Sequence, residues 1–236
     1  MFKTNKQAFT LVELLVVVAI IAVLAALAIP AISSASLKAK QSATASTLKG
    51  IGVALNLYVG ENDGRLPGPT TFAILPIARN PSSSSDTPHL GAYLAPYLGH
   101  PANSNRTICK ALQNPALSKE AQNNTNLQLA QFVTSISTST NQLEDNPLWG
   151  IGNGGVSPTT FAIAAAATNQ PKRVQSLSSK AMRAAIITTA DRQSWISAQA
   201  NWNLLPATGS FGGKRLWLFL DGSVSGPVTN NGMWFR

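Results

Sequence analysis

The chain has 236 residues, 44% of them hydrophobic and 11% charged, with a formal charge of +9. That is apolar material enough for a core, on a length that allows one domain or two small ones, but far fewer charges than the ~25% of an ordinary globular protein. A single cysteine, Cys109, excludes an internal disulfide and reads as a buried small hydrophobe, and the neutral-polar surface suits an exported protein.

The first element is the stretch Met1 to Ile32. A polar leader with Lys3 and Lys6 runs into Ala8 and Phe9, after which every residue to Ile32 is apolar except Thr10 and Glu13. From Leu14 to Ile32 the run is uncharged and matches the ~20 residues, ~30 Å as a helix, that cross a hydrocarbon core. A secretory signal peptide would use Ala26-Leu27-Ala28 as its cleavage site, yet the run outlasts the ~7 to 15 residues of such a region and continues through Ile29 and Ile32. A permanent anchor would have Lys3 and Lys6 in the cytoplasm, with Lys38 and Lys40 on the far side weakening that bias. Neither reading explains Glu13. A carboxylate deep in a bilayer costs ~2.5 to 3.5 kcal/mol and calls for a partner, which the sequence places outside this run.

The order Ala8-Phe9-Thr10-Leu11-Val12-Glu13-Leu14-Leu15 resembles the processing and assembly signal of type IV pilins and type II secretion pseudopilins. The resemblance implies cleavage by a prepilin peptidase between Ala8 and Phe9 and N-methylation of Phe9. It also implies pairing of Glu13 with the Phe9 amine of a neighbouring subunit. Pro30 falls where many pilins carry a helix-kinking proline, and Ala8 departs from the usual Gly before the cut. The partners implied are other copies of the chain in a helical homopolymer, other pilin-like subunits, the prepilin peptidase and an inner-membrane assembly platform. The precursor is then expected as a single-pass inner-membrane protein with a cytoplasmic N-terminus, and the assembled form in the periplasm or in a surface fimbrium.

Beyond Pro30 the helical pattern continues to about Val59, with Leu48, Ile51, Leu55 and Tyr58 forming one amphipathic stripe. From Thr10 to Val59 the helix would be ~75 Å long. Glu61-Asn62-Asp63-Gly64 ends it and Pro67-Gly68-Pro69 prevents its resumption. Glu61 and Asp63 read as a solvated cap rather than Ca2+ ligands, since no EF-hand spacing is present. These boundaries divide the chain into a leader (1–8), a membrane and filament-core helix (9–32), its amphipathic continuation (33–63) and a globular head (64–236).

Within the head, 79–89 and 134–147 have loop composition, 90–98 suggests a helical turn, and 116–133 is expected to form a second helix. The C-terminal third reads as β. Ala184 to Ala190 is one strand, and Leu216 to Leu220 followed by Asp221-Gly222 and Ser223-Val224 predicts a hairpin with a two-residue turn. Asn231-Gly232 suggests a further turn into Met233-Trp234-Phe235. The segment from Ser46 to Pro67, together with this hairpin and Pro171-Lys172-Arg173-Val174, resembles a pilin-like family of planctomycetes and verrucomicrobia. That family carries a His ahead of the Asp-Gly and a Gly-His-Val after it; here Phe211 and Ser223 stand at those positions. The fold class expected is α+β, a pilin fold with a long N-terminal helix packed on a small antiparallel sheet.

Catalytic patterns are missing from the sequence. His89 and His100 are the only histidines and lie in no metal or nucleophile motif, Gly150 to Gly155 lacks a preceding strand, and Gly212-Gly213-Lys214 lacks the rest of a P-loop. No enzyme activity, metal or cofactor is expected. The rival function is a minor pilin-like subunit whose basic head engages DNA or polysaccharide. Its basis is the +9 charge, +7 once Lys3 and Lys6 leave with the leader, and a local group of Lys172, Arg173, Lys180, Arg183 and Arg192.

Overall fold

The computed structural model describes residues 10–68, 70, 73–74, 77–78, 90–100, 107–123, 132–134, 148–149, 171–177, 185–191 and 202–228. The chain divides into two compact units, Met1–Lys40 and Gln41–Arg236.

The first unit contains the opening of helix α1, Leu11–Glu61. Pro30 lies inside that helix, where its ring leaves one backbone carbonyl without a donor. Just beyond it, the Ser33 hydroxyl donates to the Ile29 carbonyl (3.1 Å) and the Ser34 hydroxyl to the Ala31 carbonyl (2.9 Å). Such bonds keep small polar side chains from competing with the helix while they occupy backbone acceptors.

The second unit is the head with residues 41–61 of α1, about six turns, packed into it. Thr44, Leu48, Ile51, Gly52, Ala54 and Leu55 are buried, the stripe that the spacing predicts. The helix ends at Asn62 to Gly64: the Gly64 N–H donates to the Val59 carbonyl (3.0 Å), and Asp63 (φ 56°) and Gly64 (φ 70°) both take left-handed backbone. Arg65 then forms a β-bridge with Arg173, and Leu66 and Val174 exchange backbone bonds with Lys172 and Gly64, so the helix end is strapped to residues 171–176.

Among the described residues seven short strands follow: β1 (Ala73–Ile74), β2 (Ile77–Ala78), β3 (Thr107–Ile108), β4 (Phe132–Thr134), β5 (Ala185–Thr189), β6 (Arg215–Phe219) and β7 (Val224–Val228). They make a five-stranded antiparallel sheet in the order β1-β4-β5-β6-β7 and a separate β2-β3 pair. Two short helices, α2 (Leu90–Leu94) and α3 (Lys119–Gln122), and 3-10 turns at Pro96–Leu98, Lys110–Leu112, Val174–Ser176 and Trp202–Leu204 complete the described elements. All five residues of β6 are buried, and so are Ile186 to Thr189 of β5, as expected of central strands covered on both faces. The core joins Leu48, Ile51 and Leu55 of α1 to Ile186, Leu216 and Leu218 of the sheet and to Leu90 and Leu94 of α2.

The α+β class, with a long N-terminal helix and a small antiparallel sheet, is the pilin-like arrangement expected. Two local readings are corrected. Of the helix expected over 116–133, the described residues hold α3, capped by Ser118, whose Oγ accepts from the Ala121 N–H, while Phe132 and Val133 belong to β4; 124–131 lie outside the described residues. A strand neighbour, Thr188 and Thr189 of β5, outcompetes the loose helical spacing of that segment. The hairpin turn is also one residue longer than read. Phe219 N–H donates to the Ser223 carbonyl and Gly222 N–H to the Phe219 carbonyl, with Gly222 at φ 78°. This is the three-residue loop in which a type I turn is followed by a left-handed residue. Of the loop expected over 134–147, Thr134 instead ends β4 and the rest lies outside the described residues, as do the expectations for 79–89, 150–155 and 231–235.

Candidate functional site

The start of α1 is built by a reciprocal pair, Thr10 and Glu13. The Glu13 N–H donates to Thr10 Oγ1 (3.3 Å), while the Thr10 N–H and the Thr10 hydroxyl both donate to Glu13 Oε2 (2.9 Å each). This is a capping box, Thr at the cap and Glu three residues on, which satisfies otherwise orphaned N–H groups at the helix start. The sequence reading leaves Glu13 without a partner inside the run; the cap corrects that, because hydrogen bonds from Thr10 hold the carboxylate though no cation in the run can neutralise it. The T-x-x-E spacing was the available signal. Both bonds fall on Oε2, so among the described residues Oε1 accepts none. Ala8 and Phe9 lie outside the described residues.

From Leu11 to Ile32 the large apolar side chains are between 46% and 80% exposed, and the helix is long and apolar enough to cross a membrane. An apolar surface this continuous is stable only against lipid or against other apolar helices.

The head positions singled out in the sequence have packing roles. Phe211 is buried in the core, and the Ser223 N–H and hydroxyl both donate to Asp221 Oδ1, closing the hairpin turn. Cys109 is buried, and desolvation pushes its thiol pKa upward, away from nucleophilic chemistry. Glu61 accepts from the Tyr97 hydroxyl (2.7 Å) and Asp63 is ion-paired with Arg173, so both carboxylates at the helix end have protein partners. Among the described residues no cluster of His, Cys, Asp and Glu could hold a metal. Of the basic group, Lys172 and Arg173 are described and Arg65 joins them across the β-bridge; Lys180, Arg183 and Arg192 lie outside the described residues.

Two features of the head escape sequence reading. Arg215 and Asp191, at most 4% exposed, form a bidentate ion pair, Nε to Oδ2 2.5 Å and Nη2 to Oδ1 2.7 Å. All three tyrosines of the chain meet at the end of α1, with Tyr58 edge-on to Tyr93 (6.0 Å) and to Tyr97 (5.9 Å). Burial, helped by the neighbouring Tyr58, pushes the Tyr93 pKa up to about 12.

A family model of the prokaryotic N-terminal methylation motif matches residues 3–29. The chain thus carries the prepilin N-terminal motif, and with its long helix and antiparallel sheet it is consistent with a type IV pilin-like or pseudopilin-like protein. The motif implies processing by prepilin peptidase and assembly with other pilin subunits, fits a membrane-anchored precursor, and points to a structural subunit rather than an enzyme. No curated protein and no solved structure matches the chain.

Proposed function

We propose that the chain is a structural subunit of a type IV pilus-like or type II secretion pseudopilus filament, processed by prepilin peptidase and polymerised through α1. The observation that supports this most directly is the coincidence of the methylation motif at 3–29 with a helical surface that nothing among the described residues covers. In this reading the cut falls between Ala8 and Phe9, Phe9 becomes the methylated N-terminus, and the segment 9–32 passes from lipid into a bundle of neighbouring helices. The inner membrane holds the precursor, N-terminus in the cytoplasm, and the filament extends into the periplasm or from the cell surface.

Glu13 sets the register of that transfer. With Oε2 occupied by Thr10, Oε1 is open to the ammonium of a neighbour's Phe9, and a carboxylate has lone pairs enough to serve both. A charge pair ~4 Å apart is several-fold stronger in low dielectric than in water, so an unpaired Glu13 is penalised in lipid and docking relieves the penalty. The test is Glu13→Val in the native cell: cleavage proceeds and the mature mass begins at methylated Phe9, while filaments are lost. Filaments from this variant at the wild-type level would refute the pairing, and a mature chain beginning at Ile29 would return the signal-peptide reading.

The second reading, a minor subunit binding DNA or polysaccharide, draws on the Arg65–Arg173 bridge beside Lys172. Like charges opposed across a strand pair repel, and an anion would relieve them, but Asp63 already offsets Arg173. Salt-dependent retention on DNA that is lost in Arg65→Gln would favour this reading.

A further inference from the structure

The chain places all three of its tyrosines together, although phenylalanine, which it uses eight times, would serve packing alone. Tyr58, near the end of α1, meets Tyr93 of α2 and Tyr97 of the following 3-10 turn edge-on, at interplanar angles of 85° and 72°. All three are half-buried. Rings set nearly at right angles make a corner and not a flat platform.

Glu61 follows Tyr58 by three residues, on the same side of the helix, and is exposed. Its Oε2 accepts from the Tyr97 hydroxyl (2.7 Å), while among the described residues Oε1 takes no hydrogen bond and no cation pairs with the carboxylate. The two arginines bridged just beyond the helix end are engaged elsewhere, Arg65 with the Pro171 carbonyl (3.4 Å) and Arg173 with Asp63. In a chain of formal charge +9, this one carboxylate keeps its negative charge unmatched by any described side chain, and it keeps it beside aromatic rings.

We infer that Tyr58, Tyr93, Tyr97 and Glu61 form a recognition site for a quaternary ammonium group of the choline type. The face of an aromatic ring is negative and attracts a cation, most strongly where water is displaced. A methylated ammonium is rounded and weakly hydrated, so it loses little water on entry and its methyl groups contact rings on more than one side of the corner. The Glu61 carboxylate adds a full opposite charge at the rim. A neutral sugar, the other common guest of tyrosines, stacks its flat face on one open ring and would leave that charge unmatched. Every residue of the site lies in the head unit, so the inference stands apart from the filament reading.

The test uses the full-length chain in phosphatidylglycerol nanodiscs with isotope-labelled tyrosine, whose three ring signals are followed by NMR. Choline chloride is expected to shift all three saturably, whereas sodium chloride at equal ionic strength does not. The uncharged analogue in which carbon replaces the choline nitrogen should bind about tenfold more weakly, and so should choline to Glu61→Gln. Tyr58→Leu should abolish the response of the other two rings; Tyr97→Leu supplies the same reading should the first variant fail to fold. Nanodiscs of phosphatidylcholine distinguish the source: shifts without added choline assign the cation to a lipid headgroup, and shifts only on adding free choline assign it to a soluble ligand, either result bearing out the site. Equal binding of the uncharged analogue, or an unchanged response in Glu61→Gln, would overturn the recognition of a cation. No response to choline, with or without a response to cellotriose, would overturn the choice of ligand.

Discussion

The two ends of α1 share a backbone conformation and little else. Before Lys40 the large apolar side chains are at least 44% exposed; after Gln41, Leu48, Ile51 and Leu55 are at most 2% exposed while Val53 and Leu57 stay open. The first pattern is apolar all round and the second is a stripe. An all-round apolar helix has to be surrounded, whereas a striped one needs covering on a single side. The head therefore supplies a core for the second stretch, and the first awaits lipid or other subunits. The difference separates what stabilises the monomer from what builds an assembly, and substitutions can set the two apart.

The largest effect is expected within the head. Arg215→Ala would leave the buried Asp191 carboxylate without its bidentate partner at a cost of about 3 to 5 kcal/mol, seen as a lowered unfolding midpoint; replacing both residues by apolar ones of similar volume should recover much of it. Next comes a matched pair along α1. Leu48→Ala is expected to cost about 2 to 5 kcal/mol in chemical unfolding of the head, because Leu48 is 0% exposed, whereas Leu24→Ala, at a site 62% exposed, should change head stability by less than ~0.5 kcal/mol. Equal losses at the two positions would break the comparison. A smaller effect distinguishes the glycines: Gly50→Ala should stabilise the monomer by about 0.5 to 1 kcal/mol and Gly52→Ala should gain nothing, since its Cβ meets Leu218. Finally, the raised Tyr93 pKa makes a prediction at high pH. Its neutral form is favoured in the folded state, so the stability it contributes is complete below about pH 10 and is lost as pH rises through about 12. Burial raises all three tyrosines, so tyrosinate absorbance should show Tyr93 ionising last of them in the folded head and together with the others once it is unfolded.

Local and periodic features were legible in the residues alone. The apolar run, the Leu48-Ile51-Leu55 stripe, the terminator at Asn62 to Gly64, β5, and the position of the last hairpin each depend on side chains within a few residues of one another. The hairpin's loop is one residue longer than the Asp-Gly pair suggests, because Asp-Gly is also at home in a turn whose glycine follows a type I pair, and only the Phe219–Ser223 pairing decides between them. The capping box is legible as T-x-x-E, a local spacing in which Glu13 acts through its hydrogen bonds as well as its charge. Strands of two or three residues such as β1 and β4 carry no period to detect.

By itself the sequence determined that this chain begins with a prepilin-type signal, continues as a long helix of two chemical halves and ends in β structure, since these follow from hydrophobic period, fixed motif order and helix-stop residues. Only the tertiary structure decided which distant groups meet. Asp191 finds Arg215 across 24 residues and Thr44 finds Asn114 across 70, both buried where no spacing rule reaches. It also decided which glycines the head requires, because a missing side chain has a meaning only when one knows what would have stood against it: the hairpin turn at Gly52, and open space at Gly50 and Gly60.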